Sequence, residues 1–149
     1  MKPWRITVHC SATKNGDSVS AKQIDEWHRM RGFDRIGYHM TIDVDGTVEY
    51  GRGLNVQGAH VSGANEGNIG ICLIGTNTFS DRQFTSLEYK LDSLFLLFDI
   101  RPWELHCHNE FPSAISQGKT CPGFSVTRLY AWYFLKQKTA LLPFIGRAV

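Results

Sequence analysis

Six histidines and four cysteines are the residues of this 149-residue chain best suited to hold a metal or to work on a carbonyl. Three of the candidates stand where local patterning ends an element. His9 closes an alternating apolar run, His108 ends a short apolar stretch with His106 two residues before it, and Cys121 opens a Cys-Pro-Gly turn. A catalytic zinc centre takes three protein donors, imidazole with thiolate or carboxylate, and keeps a fourth position open for water. Strand ends and loop starts are where such donors usually lie. Any one of these residues alone is more commonly a packed or surface side chain, so only their joint arrangement carries the argument. No CxxC pair is present, which removes the common structural-zinc signatures.

The elements that would position them can be read from periodicity. Residues 4–9 alternate as a strand that delivers His9 at its end. Ser20-Ala-Lys-Gln23 offers a capping-box start to a helix reaching about Arg31, with Gly32 as its stop. Residues 38–44 form a strand, Asp45-Gly46 a hairpin turn, and residues 47–50 the returning strand. Residues 69–74 are nearly all apolar, the mark of a strand buried on both faces and central in its sheet. From Ser80 to about Phe98, apolar residues recur at three- and four-residue steps, predicting an amphipathic helix over the sheet. Residues 103–108 read as a further strand and residues 126–136 as a final helix. In one continuous strand His106 and His108 would share a face, so alternation cannot choose between them. It turns Cys10 and Cys107 away from the neighbouring histidines, as buried thiols.

The length and composition point to one compact domain, of a size usual for an enzyme, over residues 1–149. Apolar residues make up 42% and charged residues 20%, which excludes a disordered chain. A net charge of +2 with no Lys/Arg stripe argues against nucleic acid as a partner. Leu94 to Phe98 is far shorter than the roughly 20 apolar residues that span a bilayer, so no membrane insertion is expected. No secretion signal is visible at the start, and the expectation is synthesis in the cytoplasm with reduced thiols.

The motifs, in order along the chain, are VHCSAT at residues 8–13, WH at 27–28, GYHMTIDVDGTVEYGR at 37–52, AH at 59–60, NIGICLIG at 68–75, HNE at 108–110 and KTCPGF at 119–124. This ordered set resembles the type-2 N-acetylmuramoyl-L-alanine amidases, a family that includes phage lysozymes and animal peptidoglycan-recognition proteins. The resemblance covers most of the chain. It implies an α/β fold, a mixed central sheet flanked by helices, and one Zn2+ ion per chain. Carried over position by position, the metal would be held by His9, His108 and Cys121. His108 is preferred because His-Asn-Glu has the family's His-x-acid spacing, with His106 as the fallback.

The resemblance further implies that Tyr38 orients the attacking water or aids proton transfer, and that the Lys119 ammonium stabilises the oxyanion. His60 would face the cleft and contact substrate. His28 and His39 would serve packing or hold a ligand's second nitrogen, and Asn68 would brace a loop. The stretch between His108 and Cys121 is longer than the family pattern, so its shape is open. The expected reaction is hydrolysis of the amide between N-acetylmuramic acid and L-alanine of peptidoglycan. The expected setting is a monomeric phage or prophage endolysin, made in the host cytoplasm and admitted to the periplasmic wall through a holin-made hole. A receptor of the same fold that binds peptidoglycan without cutting is the competing class. The presence of Cys121, Tyr38 and Lys119 favours the enzyme, and nothing in the sequence supports the further alternative of an RNA polymerase-binding regulator.

Overall fold

The stretch Asn-Ile-Gly-Ile-Cys-Leu at residues 68–73 has no charged side chain and no polar face, so it must be covered on both sides. In the computed structural model, which describes residues 1–145 and side chains as far as residue 136, it is β4 (Asn68–Leu73), buried at every position and third of five strands. The others are β1 (Arg5–Cys10), β2 (Met40–Ile42), β3 (Val48–Tyr50) and β5 (Leu105–Cys107). Their order is β3-β2-β4-β1-β5, with β2, β4, β1 and β5 parallel and β3 antiparallel at one edge. The mixed α/β sheet expected from the sequence is the sheet observed.

Both faces are covered. Ile6 and Val8 of β1 and Ile69, Ile71 and Leu73 of β4 pack against α2 (Asp81–Phe98) through Leu87 and Leu91, and against α4 (Val126–Ile145) through Leu129. On the other face Ile74 meets Ala21 and Ile24 of α1 (Ala21–Met30) and Ile36 of the loop that follows. Period-two alternation puts Thr7 and His9 on this second face.

Local chemistry sets the helix ends. The Ser20 hydroxyl accepts from the Gln23 amide at 3.2 Å, so α1 has half of the expected capping box, and Gly32 at φ +89° ends it. The complete reciprocal box belongs to α2. There Ser80 Oγ accepts from Gln83 N at 3.1 Å and Gln83 Oε1 accepts from Ser80 N at 3.0 Å. The same Gln83 amide donates to the Ile42 and Ile74 carbonyls, tying the ends of β2 and β4 to the start of α2. Asp45 accepts from Thr47 N, and Gly46 takes φ +87°, closing the hairpin that joins β2 and β3.

Two expectations change. Residues 103–108 are not one strand: Pro102–Glu104 is a 3-10 turn with proline at its start, β5 spans only three residues, and His108–Glu110 is a second 3-10 turn. A Glu110 carboxylate oxygen accepts a hydrogen bond from the Cys107 amide, which takes that amide out of the ladder. The last helix runs to Ile145, past the expected end at residue 136. The four-residue α3 (Pro112–Ile115) was not foreseen.

Ile71 is fully buried at the centre of the sheet, so Ile71→Ala leaves a cavity and should lower unfolding stability by about 2–5 kcal/mol, read from urea midpoints.

Candidate metal centre

Strand register brings the donors together. β1 and β5 pair with Thr7 opposite His106 and Val8 opposite Cys107. One further step sets His108 level with His9, and the two rings stand 4.5 Å apart between centroids. His106 sits a step back on the same face, partly exposed, against the Phe111 ring and Glu110. Alternation alone could not separate the two histidines; register does.

Cys121 returns through a folded loop. The turn at His108–Glu110 and α3 compact residues 108–115, and Asn109 N donates to Cys121 O at 2.8 Å. The Cys10 amide donates to Cys121 Sγ at 3.1 Å, and that sulfur lies 3.8 Å from His9 Nδ1. His9, His108 and Cys121 each offer one donor atom, and these atoms lie within 4.8 Å of one another. Zinc bound tetrahedrally at its usual N and S distances holds such donors roughly 3.5 Å apart, so the group has the spacing and chemistry to take it with little adjustment. Cys10 and Cys107 are buried thiols, as expected.

Burial governs the electrostatics. It lowers the His9 pKa well below the ordinary histidine value, with further lowering from His60, His108 and Lys119. Burial and then Lys119 lower His108. Both rings are therefore neutral and can offer lone pairs near neutral pH. A hydrogen bond with Cys10, and then burial, push the Cys121 thiol up, so a metal bound there must displace a proton. Burial, followed by the sulfurs of Cys72, Cys121 and Cys10, raises Tyr38 well above the usual phenol value and keeps its hydroxyl a donor.

The group opens on a cavity of about 310 Å³ bordered by Phe33, His60, Asn65, His108, Gln117 and Lys119. Lys119 is exposed at this border. The Tyr38 ring lies 5.1 Å from that of His9. His60 lines the cavity, as expected, yet its Nδ1 is also 3.0 Å from His9 Nε2, a contact the sequence did not announce. His28 accepts from Gly37 N at 2.8 Å and packs beside Phe33 and Tyr38. His39 accepts from Gly70 N at 2.9 Å. Asn68 is fully buried and joins the preceding loop to β1. Phe33, Asn65 and Gln117 were not singled out from the sequence. The first follows the helix-ending Gly32 and the second sits in the loop after His60, but no local pattern aims either at a cleft.

An open group of two imidazoles and a thiol, at the carboxyl ends of parallel strands and beside a cavity, has the form of a hydrolase centre. The family model described as N-acetylmuramoyl-L-alanine amidase matches residues 1–124, and the chain belongs to that family. It is 36% identical over 131 residues to the endolysin of Escherichia phage T7, covering 83% of this chain and 82% of that one. Among solved structures it resembles the N-acetylmuramoyl-L-alanine amidase LysC from Clostridium intestinale, with a TM-score of 0.73, 31% identity and coverage of 83% and 78%. It also resembles the peptidoglycan-recognition protein LCa and LCx ectodomain complex bound to tracheal cytotoxin, with a TM-score of 0.70, 27% identity and coverage of 82% and 76%.

The fold depresses the pKa of all six histidines below the ordinary 6.5, each chiefly by burial. Below pH 6.5 the unfolded chain thus binds protons that the folded chain refuses. The histidines' contribution to stability is full above that pH and declines on acidification, continuing for His60 down to about 3. Urea midpoints of the metal-free protein should fall steadily from pH 7 to pH 5; a flat profile would contradict this account.

Proposed function

We propose that this chain is a zinc-dependent N-acetylmuramoyl-L-alanine amidase. It hydrolyses the amide joining the lactyl group of N-acetylmuramic acid to L-alanine in peptidoglycan, and acts as a phage or prophage endolysin. The observation that carries the reading is the His9, His108 and Cys121 group beside a cavity, in a member of this family. Residues 1–149 serve as one catalytic domain and the protein works as a monomer. It is made in the host cytoplasm and reaches the wall after a holin-type release. Among the described residues, no helix is long and apolar enough to cross a membrane.

His9, His108 and Cys121 hold one zinc ion, with the two buried neutral rings supplying nitrogen and the deprotonated thiol supplying charge. When bound, the metal supplies Lewis acidity toward the carbonyl and makes water a competent nucleophile near neutral pH. The rest is work for side chains. Tyr38, protonated and half-buried beside His9, donates a hydrogen bond to the reacting oxygen or relays a proton toward the leaving nitrogen. Lys119 brings a full positive charge to the border of the cavity, where negative charge develops on the carbonyl oxygen. Phe33 offers an apolar wall, and Asn65 and Gln117 offer amides to the sugar or stem peptide.

Digestion of purified peptidoglycan should release new N-terminal L-alanine ends without new reducing sugar ends, and a chelator should stop it. A non-cutting receptor would yield neither, and a glycosidase the reverse. Zinc content should be roughly one per chain, consistent with a single three-donor centre, and Cys121→Ala should lose both metal and cleavage. Lys119→Ala should keep its zinc and lower kcat by about 10²–10³-fold, the usual cost of removing an oxyanion donor.

A further inference from the structure

His60 is bonded at both ring nitrogens. Its Nε2 lies 3.1 Å from the Asn68 carbonyl oxygen, and its Nδ1 lies 3.0 Å from His9 Nε2. A carbonyl can only accept, so the proton of a neutral His60 ring must sit on Nε2. His60 Nδ1 is then a lone pair, and the partner nitrogen, His9 Nε2, must carry the proton it accepts. That leaves His9 Nδ1 bare. This is the atom 3.8 Å from Cys121 Sγ.

The relay is built to hold its position. Gly58 and Gly70 flank the His60 ring so closely that a Cβ on either would come within 2.5 and 2.7 Å of it. The His60 and Val61 amides both donate to Asn65 Oδ1 at 2.8 Å. At the far end, the Asn68 side chain accepts from Thr7 Oγ1 at 2.9 Å and donates to the Ala64 carbonyl at 2.8 Å. Thr7 lies two residues before His9 on β1, so the strand carrying His9 also anchors the acceptor that fixes His60.

We infer that His60 is a positioning residue for His9: through the chain His9–His60–Asn68 carbonyl it selects the His9 tautomer and turns Nδ1 toward His108 and Cys121. This rests on the proposed metal centre for its purpose, but not for its geometry. A second nitrogen held in this way fixes ring orientation and raises donor strength, and loss of such a partner typically weakens metal binding about 10–100-fold.

The direct test needs neither metal nor variant. In metal-free, 15N-histidine-labelled protein, long-range 1H–15N NMR should show His9 protonated at Nε2 and bare at Nδ1; the opposite tautomer would overturn the inference. Zinc affinity is then measured by competition with a chromophoric chelator in His60→Ala and His60→Asn, each confirmed folded by circular dichroism. His60→Ala should bind zinc about 10–100-fold more weakly. His60→Asn, whose Oδ1 can stand where Nδ1 stood, should recover most of the loss. Wild-type zinc affinity in folded His60→Ala would overturn the proposal and leave substrate contact as the role of His60. If the wild-type protein bound no zinc, the metal reading would fail, while the tautomer measurement would still decide this one.

Discussion

The site depends on the register of β1 between two parallel neighbours. Ile6 and Val8 are fully buried against α2 and α4, and β4 and β5 fix the strand from either side. A slip of one residue would turn His9 into the aliphatic face and send Ile6 and Val8 to the polar one. A slip of two would keep the face but move His9 about 6.6 Å along the sheet, out of reach of His108. The aliphatic packing of one face therefore sets the geometry of the donors on the other.

The polar groups carried into the second face are handled in kind. Thr7, His39 and Asn68 are each nearly inaccessible to solvent, and each bonds to a backbone group or to another buried side chain. Several of these bonds span loops that would otherwise be free to drift over the cavity. Phe33 and Tyr38 are held by His28, and the loop from residue 59 to residue 68 by Asn65 and Asn68. Unmet hydrogen bonds in such a place are costly, so the interior permits few arrangements of this face.

Much of this was legible in the sequence, where the controlling interactions are local. Asp45-Gly46, the helix start at Ser80, Gly32 and the apolar run at 69–74 each act within a few residues and appear where patterning puts them, although the complete capping box forms at Ser80 rather than at Ser20. The segment around His106 and His108 read less well. Its path is decided by a Glu110 carboxylate bonding the Cys107 amide and by pairing with a strand nearly a hundred residues away. His60 was visible as a histidine facing the cavity. Its bond to His9 was not, because it depends on Gly58 and Gly70 leaving a slot that only the folded sheet creates. The motif resemblance singled out Cys121, while the loop returning it to β1 had no periodicity to read.

The separation of the donors along the chain has a consequence for how the protein would acquire a metal. Cys121 and His9 stand 112 residues apart, and His108 directly follows β5, the strand latest in the chain. In short metal-binding modules, neighbouring ligands allow the ion to organise an unfolded chain. Here the loop that would have to close is most of the polypeptide, and the entropy of closing it is met only by forming the whole sheet. Zinc bound at this site would therefore reward a finished fold but not initiate one, and its uptake would report completion of folding. Once in place, it would add to stability by mass action in proportion to its occupancy.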